Sequence, residues 1–99
     1  MLIKPVSVTN SAIVAIKQII KTKEVPDDYG LRIGLKNMGA SCGSASYILG
    51  FDKKYDSDIC YEVGEVSVII KKIEVLHLTG LKLDHILVDD VKGFSFEKE

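Results

Sequence analysis

Two cysteines and two histidines are the side chains of this 99-residue chain best suited to hold a metal or act as a nucleophile. Cys42 lies in a glycine-rich stretch, Gly39-Ala40-Ser41-Cys42-Gly43-Ser44. Small neighbours there leave a thiol open to a metal, an oxidant or another thiol, and no second cysteine stands near it in sequence. Cys60 lies between Ile59 and Tyr61 in an apolar stretch, where a free cysteine packs as a small apolar residue, so it is expected in the core. His77 and His85 carry no His-x-x-x-His or Cys-x-x-Cys spacing, which argues against a local zinc site and for surface or edge positions. A cysteine nucleophile needs a base and an orienting group, and His77 or His85 with Asp84 serve only if the fold brings them to Cys42. The glycines of 39–44 invite an anion reading. However, no lysine follows the last glycine and a strand rather than a long helix comes next, which argues against a nucleotide site.

The elements that position these residues follow from the spacing of apolar side chains. Val6-Ser7-Val8 predicts a short strand, and Thr9 predicts a helix N-cap, where a hydroxyl accepts from a free backbone N–H. Ile13, Ile16, Ile19 and Ile20 then recur at helical spacing beside Ala12 and Ala15, with Lys21 and Lys23 at the end that favours positive charge. Pro26-Asp27-Asp28 starts a loop. The period then falls to two. Leu31, Ile33 and Leu35 alternate with Arg32, Gly34 and Lys36, and Tyr47, Leu49 and Phe51 alternate in the same way. These two strands flank Cys42, so its segment is expected to be a hairpin connection. A second hairpin is expected from 59–63 and 66–70 around Gly64-Glu65, one or two helical turns over 71–78, and closing strands over 81–87 and 93–97. One long helix and about seven short strands predict a mainly β (α+β) chain, a small sandwich or distorted barrel, as a single domain over 1–99.

Charge and composition narrow the function. Thirteen basic and fourteen acidic residues give a formal net charge of -1, with no nucleic-acid footprint. An apolar fraction of 46% suits a globular core. No signal peptide or membrane-length apolar run is present, so a cytoplasmic protein off the membrane, with reduced thiols, is expected.

The order of segments resembles the HesB-like, A-type iron–sulfur cluster assembly proteins over nearly the whole chain. Val8-Thr9-Asn10-Ser11-Ala12 resembles the start of that family's long helix. Gly30-Leu31-Arg32-Ile33-Gly34-Leu35 resembles its Gly-Leu-Arg-Leu-Gly-Val strand, and Cys42 followed by Tyr47-Ile48-Leu49-Gly50-Phe51-Asp52 resembles its Gly-Cys-Ser-Gly-x-x-Tyr-x-Leu-x-Phe segment. Gly64 to Ile70, Thr79-Gly80-Leu81-Lys82-Leu83-Asp84 and Gly93-Phe94-Ser95-Phe96 are similar to three later family segments in the same order.

The resemblance implies a flattened barrel or sandwich with one N-terminal helix, and a carrier rather than an enzyme. It aligns Cys42 with the first of three family cysteines that bind iron or a cluster. Cys42 is therefore the implied metal and cofactor ligand, for iron or a [2Fe-2S] cluster. It also implies a homodimer or higher homo-oligomer and iron–sulfur assembly proteins as partners. The chain departs from the family where Gly39-Ala40-Ser41 precede Cys42, at Lys71 and at His77. The family's C-terminal Cys-Gly-Cys motif does not follow Phe96. The expectation is thus a divergent carrier that binds through Cys42 or has lost binding. Two alternatives stand beside it: a metal-free protein-interaction module on the same scaffold, and a thiol-dependent redox sensor or enzyme using Cys42.

Overall fold

The computed structural model describes residues 4–35, 47–88 and 90–98. Their elements run β1 (Val6–Val8), α1 (Asn10–Thr22), β2 (Tyr29–Leu35), β3 (Tyr47–Lys53), β4 (Asp58–Val63), β5 (Val66–Lys71), a 3-10 turn (Lys72–Glu74), α2 (Val75–Leu78), β6 (Leu81–Val88) and β7 (Val91–Lys98). The strands form two sheets, one of order β1-β6-β7 and one of order β3-β2-β5-β4. The mainly β sandwich with an N-terminal helix expected from the sequence is the fold observed, with two separate sheets rather than a closed barrel.

Local chemistry explains the element ends. The Thr9 hydroxyl accepts from Ala12 N–H at 3.2 Å, the N-cap bond expected of it. It also donates to Asp84 Oδ1 at 2.6 Å, so one hydroxyl starts the helix and ties it to β6. At the other end Val25 N–H reaches back to Ile20 O at 3.0 Å, past Glu24 at φ 53, a six-to-one closure of the helix. The β4–β5 hairpin turns on Gly64 and Glu65, both at positive φ (54 and 72), the backbone a two-residue type I′ turn requires. A side chain on Gly64 would also sit 2.6 Å from Ile13 Cδ1, so the turn and the helix meet there only as glycine.

Alternation along the four-stranded sheet sorts its residues. Leu31 and Ile33 on β2, Val66, Val68 and Ile70 on β5, and Tyr61 on β4 face inward. They meet Val6, Leu81 and Leu83 of the other sheet, with Ala12, Ile13 and Ile16 of the helix. Tyr47 and Phe96 extend the contact between sheets, with ring centroids 5.0 Å apart. The buried Tyr61 hydroxyl accepts from Val6 N–H at 3.1 Å and donates to Val6 O at 2.9 Å, joining an edge strand of one sheet to an edge strand of the other. Among the described residues no helix is long and apolar enough to cross a membrane.

Candidate functional site

β2 and β3 pair antiparallel from Tyr29↔Lys53 to Leu35↔Tyr47. Leu35 and Tyr47, the described residues on either side of segment 36–46, are thus partners across the ladder. Cys42, and the reading of its surroundings as a hairpin loop, lie outside the described residues. The sheet nonetheless fixes the two points from which that segment springs.

The outer face of the sheet below those points is thin and charged. Gly30, Arg32 and Gly34 of β2 alternate outward, opposite Asp52, Gly50 and Ile48 of β3. Arg32 is clamped across this face. Its guanidinium donates to both carboxylate oxygens of Asp58 at 2.6 and 2.8 Å, to Asp52 at 3.3 Å and to Lys53 O at 3.1 Å. Asp58 is 3% exposed and also accepts from Tyr55 N–H at 2.8 Å. The Arg32 hydrogen bond, assisted by the Tyr55 N–H, holds the Asp58 carboxyl down at about 2. In the sequence Arg32 stands as the polar partner in an alternating strand and within the Gly30–Leu35 resemblance segment, and neither marks it as an ion-pair centre. The signal available was an arginine between two glycines, Gly30 and Gly34, with aspartates at 52 and 58.

The other candidates are dispersed. Cys60 is exposed, which corrects the expectation of a core position. Tyr61 takes the inward position of β4, and strand alternation then turns Cys60 to the outer face, opposite Ile69. His77 is exposed on α2, and its carbonyl accepts from Lys98 Nζ. His85 is half-buried and packs against Phe94 in a tilted pair with centroids 4.8 Å apart, beyond the Leu81–Leu83 stretch where β1 covers β6. Asp84 is engaged by the Thr9 hydroxyl and by His85 N–H at 2.8 Å, which together hold its carboxyl below the usual range. Asp84 therefore serves the helix cap, and its carboxylate does not bond the His85 ring as the orienting partner of a catalytic base. Among the described residues no group of three His, Cys, Asp or Glu side chains could hold a metal.

Comparison with known proteins places this architecture. The solved chains it resembles include Escherichia coli SufA, involved in biosynthesis of iron–sulfur clusters, with a TM-score of 0.73 and 16% identity over 99% of this chain and 89% of that one. They also include IscA with a [2Fe-2S] cluster, with a TM-score of 0.76 and 21% identity over 94% of this chain and 84% of that one. In sequence the chain is 30% identical over 93 residues to the mitochondrial iron–sulfur cluster assembly 1 homolog of Dictyostelium discoideum. That match covers 91% of this chain and 65% of the amoebal protein. It is 34% identical over 93 residues to the uncharacterized protein y4vC of Sinorhizobium fredii, covering 93% of this chain and 85% of that protein. No family model matches the chain. The fold is thus that of the SufA and IscA chains. In sequence the chain is similar to an iron–sulfur cluster assembly protein, of whose length it spans 65%.

Proposed function

We propose that this protein works in iron–sulfur cluster assembly as a carrier, not an enzyme, holding iron or a [2Fe-2S] cluster as cargo on Cys42. The observation that supports it most is the superposition of 94% of the chain, at a TM-score of 0.76, on a chain solved with that cluster. The relationship to an iron–sulfur cluster assembly protein over 91% of this chain points the same way.

The ligand chemistry sets the stoichiometry. Clusters prefer soft thiolate donors and take four of them. One Cys42 per chain gives two thiolates in a homodimer, so the remaining ligands come from a partner protein, a small thiol or another residue of the chain. Cys60 faces outward from a strand whose neighbouring outward positions are Asp58 and Glu62, and it is not offered as a ligand.

The test is anaerobic reconstitution with iron and sulfide, followed by visible absorption and size-exclusion chromatography of wild type, Cys42→Ser and Cys60→Ser. Sulfur-to-iron charge-transfer bands in wild type and Cys60→Ser, lost in Cys42→Ser and accompanied by a homo-oligomer, are expected. A colourless wild type leaves the metal-free interaction module as the better reading. Bands unchanged by Cys42→Ser refute the choice of ligand.

A further inference from the structure

A groove of about 500 Å3 opens on the outer face of the four-stranded sheet, lined by Arg32, Gly34, Ile48, Tyr55, Lys71 and Glu74 among others. Its chemistry does not depend on Cys42. Glu74 is the unusual member, an acidic residue that is only 8% exposed. Among the described residues its one hydrogen bond is long, from Leu35 N–H at 3.4 Å. Among the described residues most of the acceptor capacity of this carboxylate is therefore left open to a donor in the groove. The backbone makes room for it, because a Cβ on Gly34 would stand 2.9 Å from Glu74 Oε1.

Among the described residues the neighbouring cations leave that capacity unfilled. Arg32 is engaged by Asp58, Asp52 and the Lys53 carbonyl. Lys71 lines the groove but makes no ion pair among the described residues. Asp52, with 43% of its side chain exposed, adds a second carboxylate and disfavours anions. Ile48 and Tyr55 are 43% and 57% exposed and supply an aliphatic and an aromatic wall. An aromatic face beside a buried carboxylate suits a cation on an apolar stem.

We propose that this groove binds a slender organic cation, an alkylammonium or alkylguanidinium. The charged head bonds the Glu74 carboxylate and the stem lies along Ile48 and Tyr55. The same chemistry is offered by a free amine and by a basic side chain of a partner. Among the described residues the internal competitor is the Lys71 ammonium.

Titration of 15N-labelled protein with n-butylammonium, n-butylguanidinium, n-butanol and butyrate tests this. Saturable shifts of the Gly34, Leu35 and Ile48 amides are expected with the two cations and not with the alcohol or the carboxylate. Glu74→Gln, which keeps the shape, is expected to weaken cation binding at least ten-fold while retaining the dispersed spectrum of the folded protein. Gly34→Ala, which crowds the carboxylate, is expected to weaken it too, and Lys71→Met to tighten it several-fold. Binding seen only in Lys71→Met supports the site with Lys71 as its resting occupant. Butanol acting as strongly as butylammonium, cation binding undiminished in Glu74→Gln, or silence in both wild type and Lys71→Met overturns the proposal. Tighter binding of 1,4-diaminobutane than of a lysine-containing hexapeptide assigns the site to free amines, and the reverse order assigns it to a partner's side chain.

Discussion

The two faces of the four-stranded sheet are built from the same strands in alternation, yet they are held by different forces. The inner face is aliphatic: Leu31, Ile33, Val68 and Ile70 are at most 2% exposed, and burial of apolar area stabilises them without regard to direction. The outer face has glycines at 30, 34 and 50 and one fully buried aliphatic, Ile69, beside a guanidinium bonded to two aspartates and a carbonyl. Aliphatic packing tolerates small adjustments of shape, whereas a buried ion pair tolerates the loss of neither partner. The face that carries the candidate groove is therefore the one more sensitive to a single charge.

The largest effect expected follows from breaking that pair. Asp58→Ala leaves the Arg32 side chain 12% exposed with its principal counter-ion gone, at a cost of about 3–5 kcal/mol. Urea denaturation checks this, and the double variant Arg32→Met with Asp58→Leu is expected to recover most of the loss. A cost below about 1 kcal/mol for Asp58→Ala would erase the contrast between the faces.

Acid probes the same pair by titration. The Asp58 carboxyl is held at about 2 against an ordinary 3.8, so the folded state favours its ionised form. The stabilisation is present above pH about 4 and is lost as pH falls from there through about 2, a change of about 2 kcal/mol. Stability measured between pH 6 and pH 2 should show this fall, and Arg32→Met should flatten it.

Tyr61→Phe tests the inner face at a polar stitch. Removing the hydroxyl strips the buried Val6 backbone of two bonds and is expected to cost about 1–3 kcal/mol. Burial pushes the Tyr61 phenol up to about 12, so its contribution is intact below pH about 10 and fades as pH rises through 12. Alkaline unfolding followed by circular dichroism should lose that component in the variant. The smallest effect belongs to Cys60→Ser. An exposed strand position should change stability by no more than about 0.5 kcal/mol, and Cys60 in the folded protein should react readily with a thiol reagent.

Periodicity made the elements legible because each apolar side chain reports its own strand or helix. The Thr9 cap, the Ile13–Ile16 helix face, the Leu31–Leu35 alternation and the Gly64-Glu65 turn all appeared where local spacing put them. What local spacing does not encode is which strands become neighbours. The parallel pairings of β1 with β6 and of β2 with β5 join segments far apart in sequence. The outer-face chemistry depends on those pairings: Arg32 meets Asp58 only because β5 lies between β2 and β4. Cys60 was misplaced for a related reason. In Ile59-Cys60-Tyr61 three apolar neighbours compete for one inward phase, and Tyr61 and Ile59 take it because they fill the space between sheets. Glu74 gave no warning, since its burial follows from the approach of the 3-10 turn to Gly34.

The bond from Thr9 to Asp84 spans 75 residues of chain, and β1 pairs with β6 across the same interval. This has a temporal consequence. The first strand emerges from the ribosome long before its partner exists, and its apolar residues must wait for the C-terminal third of the chain. Closing so long a loop costs entropy before any contact rewards it, and topologies dominated by such contacts fold slowly. During synthesis the β2–β5 region can assemble first. The N-terminal strand and helix cap then lock only once β6 has been made.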